Sequence, residues 1–201
     1  MPARGAAERN ESIFMQTGIR KLTLSALLCA LSIVLVLLIH FPIFPVVYYL
    51  EYDPGDIPIL LGTMLLGPFW GVGITIVTVL VQGLTVSSAS GVYGIIMHFI
   101  STGCLVAFSY VGIALCKKKL GDTASRAVGL LAGALLASGV MLLANLLVTP
   151  AFTGMPVAAI RELLLPFILP FNLIKLVPNA LLAFLLHKLL QRYVIRNAEL
   201  A

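Results

Sequence analysis

Lys175 is the side chain in this sequence that most needs a chemical explanation. It stands in the run 167–186, where every other residue is apolar, Pro or Asn. No Asp or Glu occurs between Glu162 and Glu199, so its own helix supplies no counter-ion. An unpaired cation at the centre of a bilayer costs about 2.5–3.5 kcal/mol on insertion scales, and it is kept where a ligand, a proton path or a partner subunit meets it. Asn172 precedes it by three residues and Asn179 follows it by four, which places all three on one helix face. Pro166, Pro170 and Pro178 interrupt the backbone ladder there and free carbonyls near Asn172. The amine only donates, whereas the amides donate and accept, so together they suit a polar small molecule. The alternative is an amine that snorkels outward from a helix beginning at Pro170.

Other polar side chains fall at a similar depth. Asn145 lies five residues before Pro150, Tyr93 and His98 lie early in the apolar run 91–116, and Gln82 lies near the end of the run 69–86. Singly, an Asn is more often interhelical glue, and a His more often packs or bonds a carbonyl. Their common depth among apolar walls describes a small-molecule pocket, with Lys175 at its floor about 8 Å below Pro170 by helical rise.

Several chemistries lack their residues. The chain has no GxxxxGK[ST], HExxH or GxSxG. Ser101 and His98 are three apart but have no orienting acid, and no acid lies within an apolar run to couple protons. An enzyme is not expected, nor a bound metal or cofactor. Cys29, Cys104 and Cys116 are odd in number and lie in helical runs, where they read as small packing residues. The chain has the character of a binding subunit that draws its energy from a partner.

The elements that must position these groups are membrane helices. The 201 residues are 60% hydrophobic and 10% charged, against about 25% charged for a soluble domain. Apolar runs fall at 22–41, 57–66, 69–86, 91–116, 127–149 and 163–187. Four reach the roughly 20 residues a crossing helix needs. The second and third meet at Gly67-Pro68, as one kinked helix or two short ones. Six spans with both termini cytoplasmic place all the Lys and Arg inside except Arg161 and Lys175, which is the expected bias; five spans would split the basic clusters. The net charge of +5 is then a topology signal with some attraction to anionic lipid, and no nucleic-acid partner is expected. The fold expected is an all-α integral membrane protein: a cytoplasmic tail (1–20), a six-helix domain (21–191) and a second cytoplasmic tail (192–201). Residues 1–21 are polar and basic and are not followed by a signal-peptide pattern, so the first helix is expected to be retained.

The first outer loop, about 42–55, is rich in aromatics and Pro, and reads as a stiff segment over the outer face. Glu51, Asp53 and Asp56 cluster at its end. Asp53 before Pro54 has the form of a helix N-cap, and a direct ligand role for these acids stands beside that reading. Ala26 and Ala30 form a small-xxx-small pair that lets another helix approach, inside the bundle or on a partner.

The segment Tyr52-Asp53-Pro54-Gly55-Asp56-Ile57-Pro58, followed by Leu61-Gly62-Thr63 and Leu66-Gly67-Pro68, resembles the "YDPSDIP…G…FGP" signature of the substrate-binding S components of energy-coupling factor (ECF) transporters. Pro170-Phe171-Asn172-Leu173-Ile174-Lys175 is similar to the "PFNLIK" of the riboflavin-specific RibU type, and Ala26–Ala30 to the AxxxA of the first helix. The likeness runs from about Lys21 to Gln191. It implies six helices and an outward-facing pocket capped by the first loop. It implies docking through Ala26 and Ala30 on an ECF module, made of a T component and two ATPase subunits, in a bacterial plasma membrane. Flavin contacts carry over to Asn145, Asn172 and Lys175. Where many members have Gly, this chain has Leu176; a Lys-Asn pair is replaced near Gln82-Gly83, and Glu-Leu-Ala-Asn by Ile95-Ile96-Met97-His98.

A flavin fits these residues. Its flat apolar ring has an imide edge that an amide can match. Phe44, Tyr48 and Tyr49 could stack on the ring. The expected binding set is Asn145, Asn172, Lys175, Tyr48, Tyr49, Tyr93 and His98, with riboflavin as transported ligand rather than cofactor. The alternatives are another flavin or small vitamin, a stand-alone carrier, or a scaffold subunit without ligand.

Overall fold

The computed structural model describes the backbone of residues 2–195 and the side chains of residues 18–193. Met1 and residues 196–201, the end of the expected C-terminal tail, lie outside the described residues. The elements are α1 (Pro2–Leu38), a short ribbon of β1 (Phe41–Pro42) and β2 (Glu51–Tyr52), then α2 (Asp56–Leu66), α3 (Pro68–Leu84), α4 (Gly91–Thr153), α5 (Val157–Leu163) and α6 (Leu169–Leu190). The helix of α1 runs back to Pro2, through the segment expected as a tail. Three helical stretches, Gly18–Leu38, Ser88–Thr153 and Val157–Tyr193, are long and apolar enough to cross a membrane; α2 and α3 are apolar but shorter.

Glycines make the chain reversals. Gly67 has φ 102° and ψ 170°, a conformation closed to residues with a Cβ, and it parts α2 from α3 at the Gly67-Pro68 boundary. Pro68, which has no N–H to lose, opens α3. Gly121, at φ 72° and ψ 175°, divides α4 into limbs 91–120 and 122–153. The limbs fold back on each other: Gly112 lies against Gly129, and Ser109 against Gly133. A Cβ on Gly129 would come within 2.4 Å of the Ile113 nitrogen, so only a hydrogen there lets the backbones meet. At the far end of the bundle, Arg126 Nη1 donates to His187 Nε2 at 2.6 Å and ties the second limb to α6.

The prolines act where the sequence places them. Leu164–Ile168 forms a π-turn between α5 and α6. Pro166 and Pro170 cannot donate to the carbonyls four residues back, and the ladder widens around them.

α2 is the axis of the molecule. Every residue from Asp56 to Thr63 is buried. Ile57 and Leu60 pack with Leu105, Leu130, Leu176 and Ala180 from both limbs of α4 and from α6. Ile59 and Leu61 pack with Leu28, Ile74 and Val106 from α1, α3 and α4. A third cluster fixes the first loop: Val47 and Leu50 sit against Ile160, Ile168 and Phe171 of the α5–α6 region. At the base of this loop β1 and β2 are paired antiparallel.

Candidate ligand-binding site

The end of the first loop enters the interior of the bundle. Asp53 is 3% exposed, and its Oδ1 accepts from the Gly55 backbone N–H at 3.0 Å, a local turn that aims the other oxygen inward. The N-cap reading of Asp53 is thereby corrected: α2 starts at Asp56, and Asp53 bonds the turn before it. Its Oδ2 accepts from Lys175 Nζ at 2.6 Å and from Gln82 Nε2 at 3.3 Å. Lys175 is 3% exposed and does not snorkel. The expectation that a ligand, a proton path or a partner subunit meets the cation is corrected: its own helix has no carboxylate, but Asp53, 122 positions earlier, is delivered to it. A ligand is therefore not required to neutralise Lys175, and the case for one rests on the space beside it.

Burial alone pushes the Asp53 carboxyl upward. The Lys175 charge, with the bonds from Lys175 and Gly55, outweighs burial and holds the carboxyl below its usual range. A second carboxylate completes the network. Asp56 Oδ1 accepts from Thr102 Oγ1 at 2.7 Å, and its Oδ2 from Asn179 Nδ2 at 3.1 Å. Asn179 Nδ2 also donates to the Asp53 carbonyl at 2.9 Å, and Asn179 Oδ1 accepts from Tyr52 at 3.1 Å. Loop, α2, α3, α4 and α6 thus share one buried polar layer, in which each carboxylate has partners. Asn179 belongs to this layer and not to the cavity lining.

The same layer fixes the state of His98. Gln82 must present its NH₂ to the Asp53 carboxylate, because its carbonyl would be repelled there. That nitrogen also lies 3.3 Å from His98 Nε2, so Nε2 accepts, the imidazole is neutral, and its proton sits on Nδ1. Nδ1 has no partner among the described residues, and His98 lines the cavity.

The cavity has an empty volume of about 660 Å³, inclusive of its open mouth. Of the expected binding residues, Tyr49, Tyr93, His98, Asn145, Asn172 and Lys175 line it. Tyr48 does not: it is 67% exposed, because the turn at Pro45–Val47 buries Val47 and sends the next side chain outward. Phe44 is also elsewhere, edge-on against Phe167 in the third cluster. The aromatic wall is built instead by Tyr49, Tyr93 and Phe152, with Phe152 centroids 6.1 Å from Tyr49 and 5.8 Å from Tyr93.

The two lining amides are turned by their own helices. Asn145 Nδ2 donates to the Met141 carbonyl, and Asn172 Nδ2 to the Ile168 carbonyl, each at 2.8 Å. Asn145 Oδ1 accepts from Thr149, whereas Asn172 Oδ1 meets no protein donor among the described residues. Asn172 therefore offers an acceptor, while His98 and the remaining N–H groups of Lys175 offer donors. Tyr49 and Ser87 also line the cavity, and their buried hydroxyls have no protein partner among the described residues. Sequence reasoning missed Phe152, Ser87, Met97 and Met141. Met97 is beside His98 in sequence, but Phe152 and Ser87 sit at helix ends with no motif to mark them. No cluster of His, Cys, Asp and Glu among the described residues could hold a metal. The described cysteines are free.

Ala26 and Ala30 face away from all of this. Both are exposed on the outer surface of α1, so their spacing is not used inside the bundle.

Comparisons with known proteins agree with this architecture. The model of the family "ECF transporter, substrate-specific component" matches residues 20–187. The riboflavin transporter FmnP of Bacillus subtilis (strain 168) is 28% identical over 165 residues, covering 78% of this chain and 84% of that protein. A solved structure described as the S component of a bacterial ECF transporter superposes with a TM-score of 0.74 at 25% identity, covering 88% of this chain and 98% of the other. The chain therefore belongs to the membrane-embedded, substrate-specific S components of ECF transporters, which are transport components and not enzymes.

Proposed function

We propose that this chain is a riboflavin-binding S component. It spans a bacterial plasma membrane six times with both termini in the cytoplasm, and its cavity opens outward. It captures the vitamin outside, and an ECF module of a T component and two ATPase subunits drives release inward. The observation that carries the reading is the cavity itself. It combines an aromatic wall with a few convergent donors and acceptors. Such a lining suits a flat heteroaromatic ring with an imide edge and a hydroxylated tail. A relative named as a riboflavin transporter adds weight.

The purified protein is expected to carry a yellow chromophore, identified by mass spectrometry, and to quench flavin fluorescence at micromolar riboflavin. Absence of quenching with folded protein overturns the flavin assignment. Another vitamin producing a saturating rise in melting temperature would replace it.

His98 supplies a further check. Asn places a donor where Nδ1–H lies, and Gln places one where Nε2 lies. His98→Asn is expected to retain most of the riboflavin affinity, and His98→Gln to lose about 0.5–1.5 kcal/mol, the net worth of one hydrogen bond. Equal losses in the two variants would remove Nδ1–H from the contact.

Docking is proposed to use Ala26 and Ala30, small exposed residues on one face of α1. The double substitution Ala26→Trp and Ala30→Trp is expected to abolish uptake in cells with an ECF module and to leave riboflavin binding by the purified chain unchanged. Intact uptake would point to another face, and uptake in cells lacking any ECF module would favour a stand-alone carrier.

A further inference from the structure

Among the described residues, one lysine and one acidic residue line the cavity, Lys175 and Glu51. The positive one is already matched: Lys175 Nζ lies 2.6 Å from Asp53 Oδ2, and the pair is almost fully buried. Asp56, behind it, is held by Thr102 and Asn179 rather than by a second cation. His98, which faces the cavity, is neutral because its Nε2 accepts from Gln82. Glu51 makes no ion pair and no side-chain hydrogen bond among the described residues. It is half-buried at the base of the loop ribbon, where its backbone is paired with Pro42. The charge that a ligand meets is therefore negative, although the sequence places a lysine at the floor.

We infer that Glu51 is a specificity-determining residue that restricts the cavity to uncharged ligands and rejects their phosphomonoesters. The inference rests on the flavin reading above and deepens it: the substrate is the free riboflavin, and its 5′-phosphate, FMN, is excluded. A phosphomonoester carries about −1.5 to −2 charges at pH 7 and would lie in one cavity with an unmatched carboxylate. Walls of low dielectric keep that repulsion strong. Lys175 is already matched by Asp53, so its charge does not neutralise a second anion, although its remaining N–H groups can still donate. A neutral ribityl chain meets no such barrier, and its hydroxyls can donate to the carboxylate.

The test is a pair of fluorescence-quenching titrations of the purified full chain, one with riboflavin and one with FMN, in wild type and Glu51→Gln. Wild type is expected to bind FMN at least tenfold more weakly, and Glu51→Gln to narrow that ratio at least threefold, whatever happens to the riboflavin affinity itself. A second measurement needs only wild type. Lowering the pH from about 7.5 to 5 converts the phosphate from dianion to monoanion, since its second pKa is about 6. The FMN-to-riboflavin ratio is expected to fall over that range. Riboflavin binding with FMN equally tight, or a ratio unmoved by both Glu51→Gln and pH, overturns the role of Glu51 and leaves the riboflavin reading standing. Failure of both flavins to bind overturns the two together.

Discussion

Asp53→Asn is expected to destabilise the folded protein by about 3–5 kcal/mol, the cost of removing one partner from a buried ion pair. The substitution keeps the shape of the side chain but leaves Lys175 charged, 3% exposed, and facing an amide. Asp56 is near but is already bonded to Thr102 and Asn179. The loss should appear as a lower melting temperature in detergent, and as a looser first loop in hydrogen exchange, because Asp53 is the point at which that loop is fastened to α6. Lys175→Met in the Asp53→Asn background removes the stranded charge and should recover much of the stability. A double substitution as unstable as Asp53→Asn alone would show that the ion pair is not the cause. The pair also predicts a pH dependence. The Asp53 carboxyl lies below its ordinary value in the folded state, so the unfolded chain binds more protons near and below about pH 4. The stabilisation is therefore complete above that range and is lost as the pH falls through the lower folded value. In Asp53→Asn this acid-side decline should be shallower, and an unchanged acid profile would count against the depressed carboxyl.

Phe152→Ala is expected to weaken riboflavin binding by about 1–3 kcal/mol, the range for stacking a flat heteroaromatic ring on an aromatic side chain. The ring lies between Tyr49 and Tyr93 at the cavity wall, so truncation removes contact with the ligand and support for both tyrosines. Asn172→Ala should cost a comparable amount if its free Oδ1 accepts from the ligand. Tyr48→Ala, at an exposed position outside the cavity, should leave affinity unchanged. Affinity sensitive to Tyr48 and indifferent to Phe152 would place the ligand on the outer face of the loop. Titration of flavin fluorescence resolves all three.

The membrane helices were legible because their signal is local. A long apolar run has few alternatives once charges are excluded from it, and the Gly67-Pro68 junction marks a break through backbone properties that depend on one residue at a time. The resemblance between the segments 52–58 and 170–175 and one transporter family was legible for the same reason, as contiguous text. Asn145, Asn172, His98 and Tyr93 could be grouped by depth, since helical rise converts position into height.

Rotation about each helix and the path of the loop could not be read in that way. Tyr48 and Tyr49 are adjacent and equally aromatic, yet one is exposed and the other lines the cavity, because burial of Val47 and Leu50 against α5 and α6 sets the phase of the loop. Phe152 and Ser87 join the lining only because α3 and the second limb of α4 end at the same mouth. The sequence alone determined that Lys175 stands in an apolar run whose own helix holds no counter-ion. That the partner is Asp53, that Gln82 relays it to His98, and that Glu51 is left as the open charge were decided by tertiary packing: a counter-ion is chosen by distance in space, and a sequence separation of 122 carries no local trace of it.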